Sequence, residues 1–287
     1  MKTGLNRKIM NCAVVAVLLG AMFGCAPKVT REVGQLNLNY NSQEKQAAST
    51  DKLIALVSPE VLKSQSNGQA QSQGNSNNPL VAAMLQQQIL QSGGLKADFY
   101  ATYESNYSTQ VRTAVGNGIQ EMLTRKGFNL GGPYGTFDDM AYGDKKKAYL
   151  ALVPVLNLQI VDKVTKQDST GLTRIHTTEG VVSIGGELLI NLMEPMTKER
   201  IMSKRINLSS LNISRNYVKQ AKVGSSGLML DAIASNSELT DNSDKALTEA
   251  INEFYKLAMA KIDAMISVEE IISYSKQVDE LKGMKRF

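Results

Sequence analysis

The first 25 residues constrain the fold most, because they decide how many cysteines the folded chain keeps. The chain starts with basic residues and continues with an uninterrupted apolar run from Cys12 to Phe23. This run has the length of the apolar region of a secretory signal peptide and is too short to cross a bilayer, which takes about 20 apolar residues. We therefore expect residues 1–24 to be a signal peptide that is removed before Cys25.

Residues Met22 to Cys25 resemble the lipobox of bacterial lipoproteins, in which Gly or Ala precedes an acylated cysteine. This pattern predicts lipid attachment at Cys25, and the alternative is an ordinary signal peptide followed by an unmodified cysteine. Several acyl chains anchor a protein durably, whereas one chain gives only marginal binding. Ala26 would be the second mature residue, and it is not the Asp associated with inner-membrane retention. The expected location is the outer membrane.

The mature chain would contain one cysteine, because Cys12 lies in the removed segment and Cys25 is the attachment point. An intramolecular disulfide framework is then excluded, so the fold must rest on a hydrophobic core. The remaining length is ample for a moderately large globular domain. We expect residues 25–52 to form a lipidated tether with a first strand, and residues 53–287 to form a single α+β domain.

Residues 64–94 form an insertion in this domain, consisting of a low-complexity stretch rich in Gln, Ser, Asn and Gly and a short helix-forming run. The low-complexity part cannot bury enough apolar surface to offset its ordering entropy, so the insertion should contribute nothing to the core. Upstream, residues 26–40 are polar and would extend as a tether. Within them, Leu36 to Tyr40 alternates like a short strand.

The first half of the domain is predicted to contain a buried strand and a long helix. Leu53–Val57 is a short apolar run suited to a buried strand. Apolar residues at spacings of three and four from Phe99 to Leu123 predict one central helix, and Gly127 stands where its C-cap would be. The tyrosines of this helix could form a sugar-stacking platform, but aromatic residues at helical spacing are better interpreted as core packing.

The second half is predicted to be an antiparallel meander followed by helices. Alternating apolar residues indicate strands over 149–161, 182–192 and 201–208, with Pro154 marking an edge or a bulge. Two helices close the chain, the first capped by Asn242 or Ser243, and the second started by the capping box Ser267 to Glu270. The fold class is therefore α+β, with an antiparallel sheet packed against C-terminal helices.

Catalytic and metal-binding residues are scarce. His176 is the single histidine, and Glu179 is the only acid near it in sequence, which makes a transition-metal site or a serine triad improbable. The run Gly131 to Gly135 is interpreted as a turn, and Asp138 with Asp139 as a solvated turn rather than a Ca²⁺ loop. After removal of residues 1–24, which contain Lys2, Arg7 and Lys8, basic residues nearly balance acidic ones, and they do not interleave with aromatics. We predict no enzyme activity, cofactor, metal or nucleic-acid partner.

Several stretches spread over the mature chain are specific enough to indicate a family. The Leu-x-Glu-Pro-Met and Glu-Leu-Lys-Gly elements are the most specific of them. The stretches, in chain order, are Gly24–Pro27, Glu32–Tyr40, Leu192–Ile213, Ser226–Leu228, Asp241–Phe254 and Ser273–Arg286. Together they resemble the neuraminyllactose-binding haemagglutinin family, also called the HpaA adhesin or flagellar sheath lipoprotein family.

This resemblance implies a lipoprotein of the outer membrane or flagellar sheath with a surface or adhesin role. The sialyl-lactose binding claimed for the family is placed on a basic stretch in its middle, which corresponds to residues 162–174 here. Arg174, with Lys163 and Lys166, is the candidate ligand-binding residue, because a guanidinium can hold a sialic-acid carboxylate through two hydrogen bonds. The stretch departs from the family's basic pattern, and solvated loop charges are the other interpretation.

Two functions remain open for this membrane-attached chain. A structural or assembly lipoprotein should expose an apolar patch for an envelope protein partner. An adhesin should instead present a shallow polar groove, with an Arg or aromatic floor, to a host sialoglycan. Because the basic stretch is not retained, the sequence favours the structural interpretation.

Overall fold

The computed structural model describes residues 29–41, 48–62, 97–170, 175–222 and 238–284. These ranges form a mixed sheet with helices packed against it. The predicted α+β class is confirmed. The predicted wholly antiparallel sheet is wrong, because several strand pairs are parallel.

Nine strands form the sheet within the described ranges. They are β1 (Val29–Arg31), β2 (Leu53–Val57), β3 (Glu60–Val61), β4 (Asn129–Tyr134), β5 (Leu150–Thr170), β6 (Ile175–Met193), β7 (Arg200–Asn207), β8 (Ile213–Lys222) and β9 (Leu239–Asp241). The strand order is β1-β9-β8-β6-β5-β2-β4, with β3 beside β5 and β7 beside β6. The pairs β1–β9, β2–β4, β2–β5 and β3–β5 are parallel, and the others are antiparallel.

The predicted meander exists as β5, β6 and β7, but β5 and β6 are much longer than expected. Pro154 lies where the outer neighbour of β5 changes from β2 to β3, so its missing N–H interrupts neither ladder. Strand β8, which pairs with the first half of β6, was not predicted. Only Ile213 and Tyr217 of β8 are buried, so its apolar alternation is too weak to indicate a strand.

The glycine-rich run Gly131 to Gly135 is not the predicted turn, because most of it lies in β4 beside β2. Gly132 has a φ of 96°, and a Cβ there would lie 2.8 Å from the carbonyl oxygen of Leu56. Glycine is therefore required by close packing between the two strands. A strand made mostly of glycine has no alternation of apolar residues, so the sequence pattern indicated a turn instead of a strand.

The helices of the described ranges are α1 (Phe99–Asn106), α2 (Ser108–Arg125), α3 (Tyr142–Lys147), α4 (Ser243–Met265), α5 (Val268–Ser273) and α6 (Ser275–Met284). Short 3₁₀ turns occur at Phe137–Asp139 and Leu208–Leu211. The single central helix predicted from the sequence is broken at Tyr107, where φ is −124°. Ser105 and Ser108 beside the break bond to backbone carbonyls, and such polar side chains compete with helical hydrogen bonds.

The predicted helix ends are largely confirmed. Gly127 has a φ of 85° and closes α2, while Phe128 N donates to Leu123 O at 3.1 Å as in a Schellman motif. Ser267 caps α5 by accepting a hydrogen bond from Glu270 N. Asn242 precedes α4, but its side chain accepts from Val218 N instead of capping the helix.

The main core lies between α2, α4 and one face of β5 and β6. Alternate residues of β5 separate the two faces of the sheet. Leu150 and Leu152 face the main core, while Ala151 and Val153 join a smaller cluster with Phe137 on the other face.

The chain's first described segment, residues 29–41, packs onto the domain instead of extending as a free tether. Leu36 to Tyr40 forms no strand, although Leu36, Leu38 and Tyr40 contact the core. The side chain of Asn252 in α4 bonds to this backbone as a neighbouring strand would. Its Nδ2 donates to Gln35 O, and its Oδ1 accepts from Asn37 N at 2.7 Å. The alternating pattern therefore reflects an extended segment along a helix.

The molecule has two distinguishable ends along its strands. At the end where β1 begins, here called the β1 end, β9 begins, β8 ends, and Thr170 of β5 pairs with Ile175 of β6. The opposite end, here called the distal end, contains the turn after β6 together with β2 and β4. Helices α2 and α4 run side by side between the two ends, because contacts join Tyr107 to Asp244 near one end and Lys126 to Asp263 near the other.

Candidate functional site

Two of the predicted ligand residues, Lys163 and Lys166, lie on β5 near the β1 end. Lys163 is opposite Val181 and Lys166 is opposite Glu179, with an irregularity of the ladder between them. The Nζ of Lys166 is 3.7 Å from Glu179 Oε1, and these side chains are 60% and 43% exposed. Exposed ion pairs of this kind contribute about 0.2–1 kcal/mol. Lys163 is also exposed, and the described residues give it no ion pair.

Neither lysine belongs to the lining of the cavities that the described residues form along α2 and beside β1. Opposite partners in a ladder share a face, so both lysines stand on the face of the sheet that points away from the main core. Arg174, the third predicted ligand residue, lies outside the described residues, as does the predicted lipid attachment point Cys25. The structure therefore places two of the cations on one strand without forming a concave site from them.

A polar groove occurs elsewhere, where β1, β8 and β9 meet α1 and the first turn of α4. Its volume is about 440 Å³, within the range of small-molecule pockets. It exists because residues 29–41 pack beside α4, which brings β1 next to α1. Its charged and aromatic lining residues are Arg31, Glu32, Asp98, Phe99, Tyr107, Lys219, Asp241 and Asp244.

The carboxylates of this groove are already engaged. Asp244 accepts hydrogen bonds from Tyr107 Oη at 2.5 Å and from Gly34 N at 3.3 Å. Asp241 accepts from the first residue of α4, and Asp98 accepts from Ala101 N at 2.9 Å. These acids therefore stabilise the local structure before any ligand arrives.

Burial and the hydrogen bond to Asp244 raise the pKa of Tyr107, so its hydroxyl stays protonated at neutral pH. Phe99 packs edge-to-face against Tyr217 at a centroid distance of 4.9 Å. Burial and a hydrogen bond to Asp162 likewise raise the pKa of Tyr217. The aromatic part of the groove is thus neutral and firmly held.

The cations of the groove are less constrained. Lys245, beside the groove, pairs with Glu32 at 2.8 Å, whereas Arg31 and Lys219 form no ion pair with any residue in the described ranges. A groove with free cations, engaged carboxylates and aromatic walls can accept a polar ligand with hydroxyl and anionic groups.

The described ranges contain no group of three or more His, Cys, Asp or Glu that could hold a metal ion. Asp138 contacts Lys198, and this ion pair lowers the pKa of the Asp138 carboxyl. Asp139 accepts from Thr136 N at 2.7 Å within its own turn, whereas Asp138 is held by Lys198 of the turn after β6. His176 lies within β6, paired with Ser169 and Ala221.

The groove was missed at the sequence level because its lining comes from strands that carry no strong pattern. Lys219 belongs to β8, which was not predicted, and Arg31 belongs to a segment interpreted as a tether. The three tyrosines Tyr100, Tyr103 and Tyr107 were interpreted as packing residues: Tyr103 is buried, Tyr107 both contacts the core and lines the groove, and Tyr100 belongs to neither core cluster. One signal could have indicated that the N-terminal segment belongs to the folded domain: Glu32 to Tyr40 is one of the stretches that resemble the family.

Among the residues described, none of the helices combines the length and apolar character needed to cross a membrane.

Comparison with known proteins identifies relatives that all carry the same family name. Residues 100–285 match the family described as "Neuraminyllactose-binding hemagglutinin precursor (NLBH)". The chain is 25% identical, over 96% of its length and 94% of the relative's, to a neuraminyllactose-binding hemagglutinin from Helicobacter pylori strain 26695. A protein of the same name from Helicobacter pylori strain J99 is 24% identical with the same coverage.

A solved structure shows a similar fold. The crystal structure of a neuraminyllactose-binding hemagglutinin homolog from Helicobacter pylori superposes with a TM-score of 0.53 and 17% sequence identity. The match covers 86% of this chain and 99% of that one. Because the family match spans more than half of the sequence, the chain belongs to the neuraminyllactose-binding hemagglutinin family.

Proposed function

We propose that this chain is a lipid-anchored envelope protein, exported, cut before Cys25 and held on the outer membrane by acyl chains on that cysteine. Its domain has a structural or interaction role close to the membrane, with another envelope protein as partner. The basic start, the apolar run and the Gly24–Cys25 junction support the anchor. The single histidine and lone mature cysteine support a role without catalysis.

The observation that carries this proposal is the packing of residues 29–41 against the domain. Val29 to Arg31 pair with β9, and Tyr40 Oη donates to Asp263 Oδ2 at 2.7 Å. Between these points, Gly34 and Asn37 bond to α4. Four residue steps separate Cys25 from Val29, so the folded domain begins within roughly 14 Å of the lipid attachment point.

This short connection favours a function at the membrane surface. A domain carried on a long flexible tether can reach distant partners, whereas this domain is confined beside its own membrane. Such confinement raises the effective concentration of the domain for other proteins in the same envelope. A structural or assembly partner in that envelope therefore fits the geometry better than a ligand at long range.

The anchor is tested with two cysteine substitutions. We expect Cys25→Ser to abolish labelling by radioactive palmitate and to move the protein out of the detergent phase, because the acyl chains have lost their attachment atom. Cys12→Ser is the matched control, since Cys12 lies in the segment that is removed. That control should label and partition like the unsubstituted protein. The proposal would be refuted if Cys25→Ser still fractionated with membranes and the unsubstituted protein took up no palmitate label.

Host sialoglycan binding is the second candidate function. It is favoured by the names of the relatives and by the groove, where Arg31 and Lys219 have no ion pair among the described residues. The groove is a different site from the one predicted from the sequence, which consists of Arg174, Lys163 and Lys166. Each site offers one arginine for a sialic-acid carboxylate, so substituting Arg31 or Arg174 shows which of the two sites binds the ligand.

Isothermal titration of sialyl-lactose into the mature domain decides between the two functions. We expect no saturable binding below about millimolar concentration, where only about −4 kcal/mol is available. Micromolar binding that is lost with Arg174→Ala would restore the site predicted from the sequence, made of Arg174, Lys163 and Lys166. Micromolar binding that is lost with Arg31→Ala would assign the adhesin function to the groove.

A further inference from the structure

We propose that the β1 end of the sheet rests on the lipid surface that carries Cys25, and that the last residues of β5 and the first residues of β6 face lipid headgroups. This inference rests on the proposed lipidation of Cys25 and adds the orientation of the domain.

The first step is the short length of chain between the predicted anchor Cys25 and the first strand of the domain. Val29 and Arg31 are fixed by pairing with Leu239 and Asp241, and Glu32 N donates to Asp241 O at 2.9 Å. The chain from Cys25 to Val29 spans at most roughly 14 Å. The start of β1 must therefore stay close to the headgroups.

The second step is the register across the sheet, which shows that the last part of β5 and the first part of β6 lie level with β1. A row of ladder partners runs from Arg31 to Asp241, Lys219, Thr178 and Gln167. Neighbouring strands are about 4.8 Å apart, so Gln167 lies about 20 Å from Arg31 across the sheet and at the same level along it. The last residues of β5 and the first residues of β6 extend beyond this row, towards the anchor side.

The third step is the separation of the two ends. From Ile175 to Met193, β6 has a contour length of about 60 Å at about 3.3 Å per residue. Residues 29–41 follow α4 away from the β1 end, since Gly34 bonds near its start and Tyr40 bonds to Asp263 near its last turn. The domain therefore has one end at the anchor and the other end well away from it.

The fourth step is the chemistry of the β1 end, which suits a headgroup layer. Arg31 and Lys219 form no ion pair with the described residues and can meet lipid phosphates. Val29 is 43% exposed and adds an apolar contact. Asp168 and Glu238 lie at the same end, so the charge is mixed, and the proposed orientation rests on the short connection to Cys25 together with the level of the strands.

The orientation is tested by contact quenching in vesicles that contain lipids with a quencher on the headgroup. The full lipidated protein provides single labelling sites, because its own mature cysteine is acylated under the proposed function. Ser169→Cys places a fluorophore on the exposed end of β5, and Tyr142→Cys places one on α3 near the distal end, where Tyr142 is 68% exposed. We expect headgroup quenching to be several-fold stronger at position 169 than at position 142.

Palmitate labelling of the same preparations separates the two proposals. If the protein is acylated and both labels are quenched equally, or the label at position 142 is quenched more, the orientation is wrong while the anchor stands. If the protein is not acylated and does not bind vesicles, the proposed function itself fails and this inference fails with it. Matched thermal unfolding of both variants verifies that each label reports on a folded domain.

Discussion

Lys126 and Asp263 form an ion pair in the protein interior, with exposures of 3% and 7%. Their Nζ and Oδ1 atoms are 3.0 Å apart, and Tyr40 donates to the other carboxylate oxygen. The pair therefore joins the end of α2, the last turn of α4 and the N-terminal segment. Removing one member of a buried pair leaves a desolvated charge without its counter-charge, which is strongly destabilising.

We expect Asp263→Ala or Lys126→Met to lower the free energy of unfolding by about 3–5 kcal/mol, measured by urea denaturation. The double variant should lose clearly less than the sum of the two, because it leaves neither charge alone. Glu121→Gln is the matched control, since Glu121 forms an exposed pair with the adjacent Arg125 and should cost at most about 1 kcal/mol. Equal costs for the buried and exposed pairs would show that Asp263 does not stabilise this junction.

Residues with a local role could be predicted from the sequence, whereas the groove residues could not. The caps at Gly127 and Ser267 depend only on their neighbours in the chain, and both were predicted correctly. Arg31 and Lys219 come together only through the pairing of β1 and β8 with β9. No short-range pattern records that pairing, so the groove appeared only with the fold.

At the level of elements, the sequence predicted strongly periodic segments and missed weak or short ones. Helix α4 has a continuous apolar stripe and was recognised, while β8 has two buried residues and was not. The parallel pairs formed by β2 could not be deduced either. The run Leu53–Val57 indicates a buried strand, but its direction relative to β5 is set by long-range connections.

The insertion 64–94 lies outside the described residues, and its predicted independence from the core remains a prediction. Leu62 bonds to Leu156, whereas Phe99 packs on Tyr217, which lies level with Val164 of β5. The two flanks are thus offset by about 26 Å along β5. A replacement must span this offset, and a Gly/Ser linker of about 20 residues has a comparable mean length.

Replacing 64–94 with such a linker should leave the midpoint of thermal unfolding nearly unchanged, because loop length affects stability only slowly. Calorimetry on the replaced and the original chain measures this directly. For a domain of this size, about 1 kcal/mol corresponds to a shift of about 2–4 °C. A larger decrease would mean that residues of the insertion pack against the core.

For the whole molecule, the direction of the chain links fold to function. The N-terminal segment and α2 both lie along α4, and all three lead away from the β1 end. If Cys25 carries the proposed lipid, the distal end, with β2, β4 and α3, is the end that faces away from the membrane. This arrangement favours a structural or interaction role in which the distal end meets the partner.

The central claim is that Cys25 carries lipid and ties the domain directly to the membrane. Mass spectrometry of the N-terminal tryptic peptide, from protein purified out of native membranes, tests it most directly. We predict a peptide that begins at Cys25, ends at Lys28 and carries the added mass of several acyl chains. A chain that retains residues 1–24, or that begins with an unmodified Cys25, would contradict the anchor and the orientation derived from it.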